Sequence, residues 1–331
     1  VANALFGAIS GSGTAAASAM GSIIGPIEKD EGYDPNFSAA ANIATAPTGL
    51  LIPPSNVMIT FSLVSGGTSV AALFMAGYIP GALWALACML VVYIYAKKAG
   101  YRSQTKLTGK EKFNAFIQAL PCLLLIVIVI GGIIAGVFTA TEGSVVAVVY
   151  SLLLSIYGYK SMKWKDLPEI FRSSAEMTGI IIFLIGVSSI MSWVMAFTNI
   201  PTMVSNGLLS ISSNKYVILL MINIILLVVG TFMDMTPATL IFTPIFLPVC
   251  TALGMNTIHF GIMLIFNLCI GTITPPVGTT LFVGVKVGGV KIETVFKHLL
   301  PYFFAIIVVL MLVTYIPQLS LWLPGLMGYV S

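Results

Sequence analysis

Apolar residues in this chain occur in long unbroken runs rather than at alternate positions, and the polar residues gather in short clusters between them. The runs at 71–96, 113–137, 143–159, 175–199 and 293–316 are the clearest. A helix rises about 1.5 Å per residue, so roughly 20 apolar residues cross a hydrocarbon core of about 30 Å. Each run predicts a membrane-spanning helix, with 143–159 at the short limit. Other apolar runs are interrupted. Residues 1–10 and 14–27 flank Ser10-Gly11-Ser12-Gly13 and predict a re-entrant hairpin of two short helices. Residues 36–66 are broken at Thr48–Asn56 by Gly49, Pro53, Pro54, Ser55 and Asn56. Proline lacks an amide donor and clashes with the preceding turn, so Pro-Pro predicts a locally unwound helix. Residues 216–232 and 236–252 predict a second hairpin with Asp234 at its tip, and 259–289 a second broken helix around Pro275-Pro276.

The interrupted segments are copies of one another. Slid by 222 residues without a gap, Leu5 falls on Leu227, Thr14 on Thr236, Pro26 on Pro248, Gly32 on Gly254 and Gly49 on Gly271. Pro53-Pro54 falls on Pro275-Pro276. Between Gly32 and Gly254 the predicted topology makes five crossings, an odd number, so the second copy is inverted. The expected fold is an all-α polytopic membrane protein built from inverted repeats, with two re-entrant hairpins and two broken helices. Its expected units are 1–96 (hairpin, broken helix and helix 71–96), 97–215 (basic loops, scaffold helices and an amphipathic connection at 200–215) and 216–331 (the second hairpin, broken helix and last helix). The counterpart of the span at 175–199 would precede position 1, so at least about two further helices are expected upstream of Val1.

Composition agrees with a lipid environment. With 58% hydrophobic and 8% charged residues, the chain has too few charges to cover a soluble globule of 331 residues. The net charge of +4 matters less than its location. The predicted topology puts Lys29, the loops 97–112 and 160–172, Lys286, Lys291 and Lys297 on one face, with 14 of the 15 Lys and Arg, and leaves Lys215 opposite. The positive-inside rule makes that face cytoplasmic in a bacterial inner membrane. No nucleic-acid partner is expected. Cys88, Cys122, Cys250 and Cys269 lie in apolar surroundings without metal spacing and read as unpaired thiols. His259 and His298 lie near predicted membrane edges without a partner at catalytic spacing, and Trp84, Trp164, Trp193 and Trp322 are scattered as interface anchors.

Irregular backbone survives at membrane depth only where it is packed in protein or lines a cavity, so hairpin tips and helix breaks point inward. Duplicated units built on interrupted helices mark the substrate and ion site of a secondary transporter. Free carbonyls at half-helix ends, with hydroxyl and amide oxygens, form a hard-oxygen shell suited to sodium. The first set is Ser10, Ser12, Thr14, Thr45 and Thr48 with the backbone at Gly49 and Pro53. The second is Asp234, Met235, Thr236, Asn267, Gly271, Thr272 and Thr274. Two or more sodium ions are expected. Contacts to a small organic anion are expected from Ser12, Gly13, Ser55, Asn56, Pro276 and Gly278, since no buried Arg or Lys is evident. Asp234 is the one acid placed well away from both surfaces; such a group costs at least about 2.5 kcal/mol and is functional by default, although it also suits capping of the helix from Thr236. Each hydroxyl alone could equally bond back to the carbonyl one turn earlier. Glu142 follows Thr139 and Thr141 as a first-turn acid.

The stretches SGSGTAAASAMGSIIGPI, GYDPNFSAAANIATAPTGLLIPPSN, GVFTATEGSVVAVVYSLL, GTFMDMTPATLIFTPIFLPV and IGTITPPVGTTLFVGV resemble the large membrane subunit of tripartite ATP-independent periplasmic (TRAP) transporters. The resemblance covers nearly the whole chain. It implies an elevator-type sodium symporter working with a soluble periplasmic substrate-binding protein and a small four-helix membrane subunit, and it places sodium at the two residue sets above. Family substrates are organic acids, including C4-dicarboxylates and sialic acids, and GTAAASAMGSIIGPIEKDEGY leans towards the sialic acid branch. Ala46-Pro47-Thr48 departs from the pattern by adding a third proline before the first break. A stand-alone sodium/dicarboxylate symporter of related fold is the alternative within transport. A membrane-embedded enzyme is the alternative outside it, and would need clustered acids, histidines or a nucleophile at membrane depth, where only Asp234 qualifies.

Overall fold

The computed structural model describes residues 1–101 and 108–329, and every regular element among them is helical. Arg102 and Lys106 of the first basic loop lie outside the described residues. In chain order the helices are α1 (Ala2–Ser10), α2 (Gly13–Asp30), α3 (Pro35–Thr45), α4 (Thr48–Leu51), α5 (Asn56–Val64), α6 (Val70–Ala99), α7 (Gly109–Ile134), α8 (Ala140–Leu153), α9 (Leu167–Phe197), α10 (Ile200–Ile211), α11 (Lys215–Phe232), α12 (Met235–Ala252), α13 (Thr257–Thr272), α14 (Thr279–Gly288), α15 (Ile292–Tyr315) and α16 (Gln318–Leu326). Seven helices among the described residues are long and apolar enough to cross a membrane. The short run at 143–159 reaches that length because α8 continues as a π-helical turn over Leu154–Gly158. α16 was not anticipated.

Two compact units form. α7, α8 and most of α9 make one, in which Tyr150 donates a hydrogen bond to Pro121 O across 2.8 Å and Thr139 with Glu142 forms a capping box at the start of α8. α1–α6 with α10–α16 make the other, which holds the duplicated segments. Its α3–α4 and α5 are bent by 47° at the first break.

Helix α15 serves as a ruler for the inversion. In its first turn Thr294 Oγ1 donates to Asn36 Oδ1 across 2.8 Å, and His298 Nε2 lies 3.9 Å from the Asp34 carboxylate. Both partners belong to the start of α3, beside the base of the α1/α2 hairpin. At the far end Tyr315 donates its hydroxyl to Tyr216 O across 3.0 Å, at the base of the α11/α12 hairpin. The hairpins therefore enter from opposite ends of a helix about 36 Å long. They also interlock: α2 packs along α14, and its counterpart α12 packs along α5.

The core lies where the halves meet. α13 is buried along its whole length, Trp84 is fully enclosed, and its indole N–H donates to Ala44 O across 2.9 Å. That corrects the reading of Trp84 as an interface anchor; Trp164, Trp193 and Trp322 are exposed. His259, in the first turn of α13, is buried too, with Nε2 2.8 Å from Val313 O. Cys88, Cys250 and Cys269 are buried free thiols, and half-buried Cys122 is also free, with Sγ 3.6 Å from the Tyr159 hydroxyl.

Candidate functional site at the hairpin tips and helix breaks

The first helix of each hairpin meets the broken helix of its own half through glycine, next to the break. α1 ends at Ser10, Gly11 turns the chain with φ 61°, and α2 starts at Gly13 with Ser12 as its cap, Ser12 Oγ accepting from Ala15 N across 3.2 Å. A Cβ on Gly49 would stand 2.2 Å from Gly7 Cα, so α1 and α4 touch backbone to backbone. In the other half a Cβ on Gly271 would stand 2.3 Å from the Gly230 carbonyl carbon. Val277 N then donates to Thr231 O across 3.1 Å, tying the second break to the end of α11. Gly11 and Gly13 bring the first tip to Asn56 and to Thr280, the latter from the opposite half.

The first break is shorter and later than its sequence suggests. Thr48 and Gly49 lie inside α4, and the non-helical segment is Ile52–Ser55, which contains Pro53. The extra Pro47 ends α3 one turn early instead, because it cannot donate to the preceding turn. In the second half Asn267, Gly271 and Thr272 likewise lie inside α13, and the unwound segment runs from Ile273 to Gly278 with Thr274 and Pro276 in it.

The hydroxyls bond locally. Thr45 Oγ1 donates to Ala41 O (2.7 Å), Thr48 Oγ1 to Thr45 O (2.6 Å), Thr272 Oγ1 to Cys269 O (2.8 Å) and Thr274 Oγ1 to Ile270 O (2.7 Å). Ser10 Oγ donates to Ser12 O across 3.3 Å, and Ser12 Oγ and Thr14 Oγ1 are 2.9 Å apart. A hydroxyl that donates to the backbone keeps lone pairs for a cation, so back-bonding and coordination are compatible.

Asp234 stands exposed at the second tip as the N-cap of α12, between the tip backbone and buried Met235, with half-buried Thr236 beyond. Its carboxylate makes no capping hydrogen bond, so the capping role does not hold. Asn267 is drawn elsewhere: its Nδ2 donates to Asn223 Oδ1 across 2.6 Å and to Met263 O across 2.8 Å, while Asn223 Nδ2 donates to Thr314 Oγ1 across 3.1 Å. The position matched to Asn267 is Thr45, which accepts from Asn3 Nδ2 across 2.7 Å. In both halves an asparagine on the first hairpin helix thus grips the same point of the broken helix.

Asn3, Asn223 and Thr280 were not singled out from sequence. The signal for Asn223 was present, a lone amide in a strongly apolar run; Asn3 and Thr280 gave none. Among the described residues no cluster of acids, histidines and cysteines could hold a transition metal, and the oxygens above are the hard donors that suit an alkali cation.

The family model of the tripartite ATP-independent periplasmic transporter, DctM component, matches residues 1–319. The chain belongs to the DctM family. This large permease is 53% identical to the uncharacterised protein YgiK of Salmonella typhimurium over 98% of the chain and 75% of that relative. It is 37% identical to the isethionate TRAP transporter permease protein DctMQ of Oleidesulfovibrio alaskensis over 97% of the chain and 50% of that protein. Identity to the sialic acid TRAP transporter large permease SiaM of Vibrio cholerae is 36% over 99% of the chain and 77% of SiaM. DctM proteins are transporter permeases and not enzymes. They carry out secondary transport with a periplasmic binding protein and a small membrane subunit.

Proposed function

We propose that this DctM permease imports a small organic acid across the bacterial inner membrane, driven by sodium and supplied by its binding protein. The observation that carries the reading is the doubled arrangement of a hairpin tip against a helix break, entered from opposite ends of α15. Two such points offer two quasi-equivalent hard-oxygen sites: Ser10, Ser12, Thr14, Thr45, Thr48, Gly49 and Pro53 in one half, and Asp234, Met235, Thr236, Thr272, Thr274, Gly271 and Asn267 in the other. Thr45 and Asn267 act as supports, being held by Asn3 and Asn223. The acid sits between the tips, near Ser12, Gly13, Ser55, Asn56, Pro276 and Gly278. Hairpins and broken helices move together as the elevator, and the faces with loops 97–112 and 160–172 are cytoplasmic.

The energetics are adequate. A sodium ion entering down 100 mV contributes about 2.3 kcal/mol, against about 1.4 kcal/mol per tenfold accumulation of a neutral solute. A monoanion entering against the same potential returns one such increment, so two ions leave a net driving force. Isethionate and sialic acid, named for two relatives of near-equal identity, are both organic anions; the sequence leaning favours sialic acid.

Proteoliposomes holding the permease, its small subunit and the binding protein should take up N-acetylneuraminate, succinate or isethionate only under an inward sodium gradient. Uptake that ignores the gradient would sink sodium coupling. Uptake by the large subunit alone would instead favour the stand-alone symporter.

A further inference from the structure

The second halves of both broken helices begin without a cap. α5 starts at Asn56 with Ser55 before it, and α14 starts at Thr279 with Gly278 before it; neither cap residue makes a side-chain hydrogen bond to its helix. The first intrahelical bonds are Ile59 N to Ser55 O and Phe282 N to Gly278 O. Three backbone amides at each amino end are therefore left unused by the helix, and the helix dipole concentrates positive potential there. Both ends also carry a buried hydroxyl without a partner: Ser55 Oγ, on a residue 0% exposed, and Thr280 Oγ1, on a residue 1% exposed.

The two ends converge on one short segment. A Cβ on Gly11 would stand 2.9 Å from Asn56 Nδ2, and one on Gly13 would stand 3.2 Å from Thr280 Oγ1. Two residues of chain span no more than about 7.6 Å. α14 comes from the second half, so the first tip is faced by one helix end from each copy. Orphaned buried hydroxyls are costly, and a ligand placed between these two ends would satisfy both. Helix amino ends select an anion, and no Lys or Arg is buried among the described residues to do so.

We infer that the anionic group of the transported acid is held between the amino ends of α5 and α14, with Ser55 and Thr280 donating their hydroxyls to it, and that Thr280 thereby ties substrate recognition in the first half to the second. This rests on the reading of the chain as an organic-acid permease. Both hydroxyls are buried in protein, so they and the two dipoles act at low dielectric and replace a cationic side chain.

The test uses the assembled transporter in proteoliposomes and whichever of N-acetylneuraminate, succinate and isethionate the wild type takes up best. Thr280→Val should raise KM for that anion about tenfold or more, the loss of one hydrogen bond to a charged group, while the sodium concentration for half-maximal rate stays put. Thr280→Ser should retain the wild-type KM, and Ser55→Ala should raise it independently. An unchanged KM in Thr280→Val and Ser55→Ala overturns the inference. A shift in sodium dependence with KM unchanged also overturns it, since the hydroxyls would then be ion ligands. Silence of the wild type towards all three acids fails the transport reading itself, and this inference with it.

Discussion

Cys269 Sγ lies 3.9 Å from Pro47 O, and the two residues are 222 positions apart, the offset that superposes the repeats. Matched positions meet each other only on a symmetry axis, where an isologous contact pairs each residue with its own counterpart. Pro47 and Cys269 thus mark the pseudo-two-fold axis between the halves. The packing of α2 on α14 and of α12 on α5 is reciprocal about it.

The glycine contacts on either side of this axis admit no side chain. Gly271→Ala and Gly49→Ala should each lower the melting temperature strongly or prevent assembly, because the clash is with backbone that cannot turn aside. Gly131→Ala, at a helix position with open space around it, should be neutral or stabilising by up to about 1 kcal/mol. Melting of the purified protein followed by size exclusion separates these outcomes; an unaffected Gly271→Ala would contradict the packing.

Asp234 makes no capping bond, so its removal has no cap to lose. Asp234→Ala should leave expression and melting within about 0.5 kcal/mol of wild type and should weaken or abolish sodium-dependent uptake. Uptake with unaltered sodium dependence would take Asp234 out of the ion site.

The Asn267–Asn223–Thr314 chain is buried and linked end to end through Asn223. Removing either amide strands its neighbour, at about 1–3 kcal/mol. Asn223→Ala and Asn267→Ala should therefore be strongly non-additive: the double variant should be less destabilised than the sum of the singles. Additive losses would mean the two amides do not depend on one another.

Glu28 stands at the polar base of the first hairpin, where burial and then the nearby Glu31 carboxylate push its pKa above the ordinary value. A folded-state pKa above the unfolded one means that ionisation opposes folding. The penalty is absent below the unfolded pKa and grows as pH rises through the folded value. Glu28→Gln should therefore gain stability over wild type at neutral pH, and the gain should vanish in acid. Melting temperatures of the two proteins across that range check it; a constant difference would contradict the sign.

Much of the architecture was legible in sequence because its cause is local. Apolar run length, the missing donor of Pro53-Pro54 and Pro275-Pro276, and the Ser-Gly joint at the first tip act within a few residues of themselves. The 222-residue offset then duplicates them, and the family followed from the motifs around these same residues. The position of Thr280 beside Gly13, the grip of Asn3 on Thr45 and the burial of Trp84 depend on segments from different parts of the chain meeting, and no local pattern encodes which faces meet. Asn267 shows the difference most plainly. Its repeat position marked it as a site residue, but only tertiary packing decided that its amide is held by Asn223, because a buried donor must find its partner wherever the fold supplies one.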